Sequence, residues 1–154
     1  MFDFFKKKKG EEFVAFADGK VILLENVNDE VFAKKMMGEG IAIEPTDGNV
    51  YSPLSGKVKN AFPTGHAYIL EDLNGVEYLI HCGLDTVELK GEGFEGYVKE
   101  GDSVKQGDKI CKMNLDLINE KGKDTVIIAV SEELFKDKKF QKNQDEKVSK
   151  GDIL

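Results

Sequence analysis

Apolar residues in this chain come in short, compact runs and not in long helical stripes. Val21–Leu24, Ile41–Ile43, Val50–Tyr51, Ala67–Leu70, Val76–Ile80 and Val126–Val130 have the length and the apolar or alternating character of β-strands. Between them stand Asp18-Gly19, Asp47-Gly48, Ser55-Gly56, Asn74-Gly75, Gly101-Asp102 and Gly107-Asp108. Such pairs favour turns, because glycine reaches positive φ freely and Asp, Asn and Ser bond to nearby backbone. Helical signals are sparse: one turn within Asp29–Met36, and one near Ser131–Phe135, where Ser131 followed by Glu132 and Glu133 makes a fair N-terminal signature. The pattern predicts an all-β fold, an antiparallel β-sandwich or flattened barrel with very little helix. Residues 1–10 are expected to form a flexible tail and residues 11–154 a single domain.

A weak internal repeat refines the fold. Ser55-Gly56-Lys57-Val58-Lys59 resembles Glu95-Gly96-Tyr97-Val98-Lys99, which continues into Gly101-Asp102-Ser103-Val104 and Gly107-Asp108-Lys109-Ile110; Lys147-Val148-Ser149-Lys150-Gly151-Asp152-Ile153 echoes it again. The pattern resembles the flattened barrel of biotinyl and lipoyl carrier domains, here duplicated. Those carriers modify a lysine between two methionines, and no Met-Lys-Met occurs here. The scaffold is expected without the swinging arm.

Charge and composition narrow the function. The 154-residue chain carries a net charge of −7, and all 22 of its basic residues are lysines. No basic stripe exists to neutralise a nucleic-acid backbone, so a nucleic-acid partner is not expected. Without arginine there is no bidentate fork for phosphate or carboxylate, so phosphate chemistry would need other donors. Cys82 and Cys111 are the only cysteines, read as reduced, buried thiols more readily than as a disulfide. No apolar run reaches the roughly 18–20 residues of a membrane span. The N-terminus sets Phe2, Phe4 and Phe5 before Lys6–Lys9, the reverse of a secretion signal, so a cytoplasmic location is expected. That segment invites at most weak contact with an anionic membrane, each lysine contributing about 1 kcal/mol. The start at Met1 favours a free-standing domain over one cut from a fusion.

The chain has only two histidines, His66 and His81, with the hairpin dipeptide Asn74-Gly75 between them. A two-residue loop at Asn74-Gly75 puts Tyr68 opposite His81 and His66 diagonally beside it; slipping one residue on each side puts His66 directly opposite. Either register sets both rings on one face, whereas a one-residue offset would part them. Phe62, Thr64, His66 and Tyr68 then share one face, as do Leu79 and His81, giving an apolar patch with a threonine hydroxyl available to fix one imidazole tautomer. Paired imidazoles suit a metal or a phosphoryl group. Catalytic zinc normally takes three protein ligands, and the chain offers neither H-E-x-x-H nor H-x-H. His66 and His81 could hold zinc only if Asp85 or a partner completed the set. A zinc peptidase on a related duplicated scaffold is the rival class.

Thr64-Gly65-His66-Ala67, followed by the run from Glu77 through Ile80-His81-Cys82-Gly83-Leu84-Asp85-Thr86-Val87-Glu88-Leu89-Lys90-Gly91-Glu92-Gly93 to Phe94, closely resembles the glucose-type IIA component of the bacterial sugar phosphotransferase system. Val31-Phe32-Ala33, Gly38–Pro45 and Ser52–Val58 extend the similarity, which runs from about Asp18 to Val130. The resemblance implies that His81 accepts phosphate from the phosphocarrier HPr, as tele-phosphohistidine, and passes it to a cysteine on the IIB domain of a sugar permease. It implies that His66 supports the phosphoryl group and that Thr64 orients His66. It also implies that Asp29, Val31, Phe32, Met37, Phe62, Leu79, Gly83, Asp85 and Val87 surround the site where partners dock. Leu79 stands where the family often has an aromatic, and Cys82 follows the active histidine. No cofactor is implied beyond the covalent phosphate. A mainly regulatory role, with other proteins reading the phosphorylation state, is the alternative within the same family.

The residues suit that chemistry. A neutral imidazole is a competent nucleophile at cell pH without a separate base. Phosphoryl transfer chiefly needs alignment and stabilisation of the equatorial oxygens. With no arginine, the His66 N–H and backbone amides around Gly83–Asp85 are the expected donors.

Overall fold

The computed structural model describes residues 11–154; the expected N-terminal tail and its membrane contact fall outside the described residues. The strands in chain order are β1 (Gly19–Leu23), β2 (Glu39–Pro45), β3 (Asn49–Tyr51), β4 (Gly56–Ala61), β5 (Ala67–Asp72), β6 (Glu77–Leu84), β7 (Phe94–Gly96), β8 (Ser103–Val104), β9 (Lys109–Met113), β10 (Asp124–Ser131) and β11 (Lys147–Val148). Two short α-helices, α1 (Glu30–Ala33) and α2 (Leu115–Glu120), and 3-10 turns at Leu24–Asn26 and Thr86–Leu89 complete the described residues. An eight-stranded sheet runs β11-β1-β2-β10-β6-β5-β4-β8, and a three-stranded sheet runs β3-β9-β7. The ladders are antiparallel, as the sequence predicts.

Alternation along the strands divides the buried residues into two clusters. Val21, Ile41, Ile43, Leu70, Ile80, Cys82, Ile127 and Ala129 of the large sheet face Val50, Ile110, Cys111 and Met113 of the small one across the main core. On the reverse face of the large sheet, Ala42, Leu84, Val126, Ile128 and Val130 pack with Leu24, Val27 and Phe32. Strand β10 is therefore covered on both sides, and every residue from Thr125 to Ser131 is buried. That is why Val126–Val130 reads as an unbroken apolar run and not as an alternation. Cys82 and Cys111 meet inside the main core as free thiols, their sulfurs 3.9 Å apart. The Cys111 contact and burial push the Cys82 thiol well above the ordinary range.

The repeated Gly-Asp element is one turn used three times. Gly101, Gly107 and Gly151 have φ of 93°, 93° and 89°. In each copy the following aspartate accepts from a backbone N–H three residues earlier: Asp102 from Lys99, Asp108 from Lys105 and Asp152 from Ser149. Each turn then docks on a neighbouring segment by two reciprocal backbone bonds, to Val58, Ser52 and Ala15 respectively. A Cβ added at Gly101 or Gly107 meets nothing within 4 Å, so only backbone strain opposes it. Gly101→Ala and Gly107→Ala should each lower stability by about 1–2 kcal/mol, read by urea unfolding.

Two local expectations change. The segment after Ser131 is a series of turns and not a helix, although the Ser131 hydroxyl oxygen does accept from the Glu133 and Leu134 N–H groups as a cap would. The helix at α2 has no counterpart in the sequence prediction. Asn114 caps it by accepting from the Leu117 N–H at 3.2 Å, and it buries Ile118 alone, too short a stripe to stand out. No helix among the described residues is long and apolar enough to cross a membrane.

Candidate functional site

The hairpin β5–β6 brings the histidines together, by a register other than the two considered from sequence. Its loop has three residues, Leu73, Asn74 and Gly75. Asp72 and Val76 are bonded across its base, and Gly75, at φ 82°, donates back to the Asp72 carbonyl. The Asp72 carboxylate locks the loop by accepting from the Asn74 and Val76 N–H groups, each at 2.9 Å. A three-residue loop with glycine in the left-handed position replaces the two-residue turn, and Ala67 pairs with His81.

Strict alternation in this register would put His66 on the Cys82 side. His66 escapes it because it precedes β5 and follows a tight turn: Gly65, at φ 73°, donates to the Phe62 carbonyl at 2.8 Å. The His66 carbonyl still accepts from the Cys82 N–H at 2.7 Å, yet its ring lies 5.2 Å from the His81 ring at 84°, edge to face. Thr64 reaches His66 Nδ1 with its hydroxyl through this turn and not along a strand face. Phe62 packs edge-on to the His66 ring at 5.7 Å.

His81 lies on the reverse face of β6, in register with Ile128 of β10. Its Nδ1 donates to the Gly83 carbonyl at 2.7 Å. A carbonyl only accepts, so the proton sits on Nδ1 and the lone pair on Nε2. Sequence reasoning assigned donors to Gly83–Asp85 and missed that the Gly83 carbonyl is an acceptor fixing His81. Gly83 is at φ 82° and Asp85 at φ 58°, and the β6–β10 register shifts between Asp124 and Ile127. The backbone just beyond the histidine is thus bulged, which re-aims it.

The remaining candidate residues ring this pair. The Asp29 carboxylate caps α1, accepting from the Val31 N–H at 2.9 Å and the Phe32 N–H at 3.4 Å. The single turn it starts buries Phe32, whose ring lies 5.2 Å from His81, and leaves Val31 exposed. Met36 and Met37 are exposed just beyond, as is Val87 in the 3-10 turn after Asp85. Leu79, two residues before His81 on the same face, packs against the reverse-face cluster. Among the described residues no group of three or more His, Cys, Asp or Glu is placed to hold a metal, and Cys82 faces the main core.

Burial lowers the pKa of both imidazoles. For His66 the charge that His81 would carry adds to the desolvation. For His81 desolvation dominates, opposed by the Gly83 carbonyl, Asp29 and Asp85. Both rings are therefore neutral at cell pH. The unfolded rings titrate near the ordinary 6.5, so protons bind preferentially to the unfolded chain. The histidine contribution to stability is whole above about 6.5 and drains away as pH falls through the lower folded values. Between about pH 7 and about pH 5, wild-type stability in urea should fall more steeply than that of the double variant His66→Gln, His81→Gln.

An antiparallel β-sandwich that holds two neutral imidazoles ring to ring, one with its Nε2 lone pair left free, has the equipment of a histidine-based group carrier. Residues 11–136 match the family model for the phosphoenolpyruvate-dependent sugar phosphotransferase system, EIIA 1. The PTS system glucose-specific EIIA component of Oceanobacillus iheyensis is 52% identical over 113 residues, covering 73% of this chain and 68% of that protein. The protein of the same description from Bacillus cereus is 48% identical over 126 residues, covering 82% and 76%. The solved structure of glucose permease IIA from Mycoplasma capricolum superposes with a TM-score of 0.85 at 36% identity, covering 100% of this chain and 97% of that one. The chain belongs to the sugar phosphotransferase system EIIA 1 family. It is accordingly a phosphotransferase of that system, a carrier of phosphoryl groups.

Proposed function

We propose that this protein accepts a phosphoryl group from phospho-HPr on Nε2 of His81 and passes it to a cysteine on the IIB domain of a glucose-type sugar permease, acting in the cytoplasm with residues 11–154 as one domain. The observation that carries this reading is the 2.7 Å bond from His81 Nδ1 to the Gly83 carbonyl, which leaves Nε2 unprotonated and able to attack phosphorus. In acceptance the Nε2 lone pair forms the N–P bond as the donor's P–N bond breaks; in delivery a thiolate of the IIB domain displaces His81 in the same way. Thr64 donates its O–H to His66 Nδ1, so that His66 carries its proton on Nε2 and offers it to the phosphoryl oxygens. No arginine assists, and this N–H with nearby backbone amides is the stabilisation the chain itself supplies.

The docking face is the ring of exposed Val31, Met37 and Val87 around Phe32 and Phe62, with Asp29 and Asp85 as acidic members. Apolar contacts there bring the two proteins together, and the carboxylates favour a basic partner. The relatives named as glucose-specific support a glucose-type permease as the recipient. Incubation with phosphoenolpyruvate, the general phosphotransferase enzyme and HPr, followed by peptide mapping and phosphorus NMR, tests the reading. Phosphate on Nε2 of His81, discharged on adding the IIB domain, is expected. Stable phosphate on His66, or no uptake, would overturn it.

A further inference from the structure

Thr86 is fully buried at the start of the 3-10 turn that follows His81 and Asp85. Its hydroxyl donates to the Cys82 carbonyl at 2.6 Å. Its methyl carbon occupies the space above the Gly83 Cα: a Cβ built on Gly83 would lie 2.4 Å from it and 2.7 Å from the Asp124 carbonyl oxygen. One side chain thus holds the peptide plane before Gly83 and closes off the space beside Gly83 itself. With that plane fixed, Gly83 at φ 82° places the next carbonyl carbon, and the oxygen on that carbon accepts from the His81 Nδ1–H. Thr86 is 0% exposed and stands outside the partner-facing ring, so docking gives no reason for a hydroxyl here. A valine would fill the same volume.

We infer that Thr86 is a positioning residue for His81: through the Cys82 carbonyl and the Gly83 backbone it keeps the proton on Nδ1 and the lone pair on Nε2. Without the hydroxyl the Cys82–Gly83 plane can rotate, the Gly83 carbonyl leaves the line of Nδ1–H, and the ring divides between its two tautomers. Only the Nδ1–H form can attack through Nε2, so the loss reaches the chemistry although Thr86 touches neither phosphate nor partner. The inference rests on His81 being the phosphoryl acceptor.

Thr86→Val keeps the shape and removes the hydroxyl; Thr86→Ser keeps the hydroxyl and removes the methyl. In ring-labelled, unphosphorylated protein the imidazole 15N shifts report the tautomer directly. Wild type and Thr86→Ser should show His81 in the Nδ1–H form, and Thr86→Val a mixture. Acceptance from phospho-HPr should fall about tenfold in Thr86→Val, the scale of one buried hydrogen bond, and stay near wild type in Thr86→Ser. If Thr86→Val does not fold, Thr86→Ala makes the same comparison without crowding. A wild-type tautomer in Thr86→Val or Thr86→Ala, or equal losses in Thr86→Ser and Thr86→Val, would overturn the inference while leaving His81 as acceptor. Phosphate mapped to His66 would instead sink the acceptor assignment and leave the tautomer measurement standing.

Discussion

His81→Ala should take up no phosphate from phospho-HPr above background, while still folding and still binding its partners. The N–P bond needs an unprotonated ring nitrogen, and His81 Nε2 is the one that the hydrogen bonding leaves free. His66 cannot stand in for it. Its Nδ1 is engaged by the Thr64 hydroxyl, and with that hydroxyl donating, its Nε2 carries the proton and has no lone pair in the ring plane to attack with. The proposed docking face lies on other side chains, the exposed Val31, Met37 and Val87, so affinity for unphosphorylated HPr should hold. The measurement is transfer of labelled phosphate beside a binding isotherm and a urea curve. Normal uptake by the variant would remove the proposed mechanism, and loss of binding together with uptake would show that His81 acts through the interface.

His66→Ala should slow phosphoryl transfer by roughly 10²–10³-fold, the usual effect of removing one donor aimed at developing charge. The two rings are 5.2 Å apart, edge to face, so a group carried on one is within reach of the other. The bond from His66 strengthens as charge builds on the equatorial oxygens, so its loss is felt in the rate more than in binding. Delivery to the IIB cysteine should suffer at least as much as acceptance, because the loaded group must be held in line while the new bond forms. His66→Gln retains an N–H donor and should still form phospho-His81. Rapid-quench measurement of each half-reaction separates these expectations. Equal loss in the Ala and Gln variants would show that a ring, and not a donor, is required.

The strands and the absence of long helices were legible because a β pattern depends on local alternation and turn residues, both written in the chain. The Asp29 turn was legible too, since a capping carboxylate acts only on residues immediately following. The convergence of the histidines was anticipated through the wrong register. Asn74-Gly75 is a strong two-residue turn signal, but Asp72 accepts two backbone N–H groups and widens the loop to three. The turn at Gly65 then restores by a local twist what alternation alone would have undone. The Gly83 carbonyl was not legible, because a backbone acceptor has no side-chain signature. What pointed to it is the glycine two residues after His81, at a site where a Cβ would collide with Thr86 and Asp124.

Strand β10 contributes no side chain to the proposed chemistry, yet it sits at the middle of the large sheet with both faces covered. Its amides open only when the neighbouring ladders β2 and β6 separate, so they should exchange with solvent last, at the rate of whole-molecule unfolding. The short helix α1, begun by one aspartate, should exchange far sooner. Deuterium uptake at β10 therefore measures global stability, and uptake at α1 measures the readiness of the proposed docking face. Phosphate or a bound partner that slows α1 while leaving β10 unchanged tightens that face locally; one that slows both adds to the folding free energy of the entire sandwich.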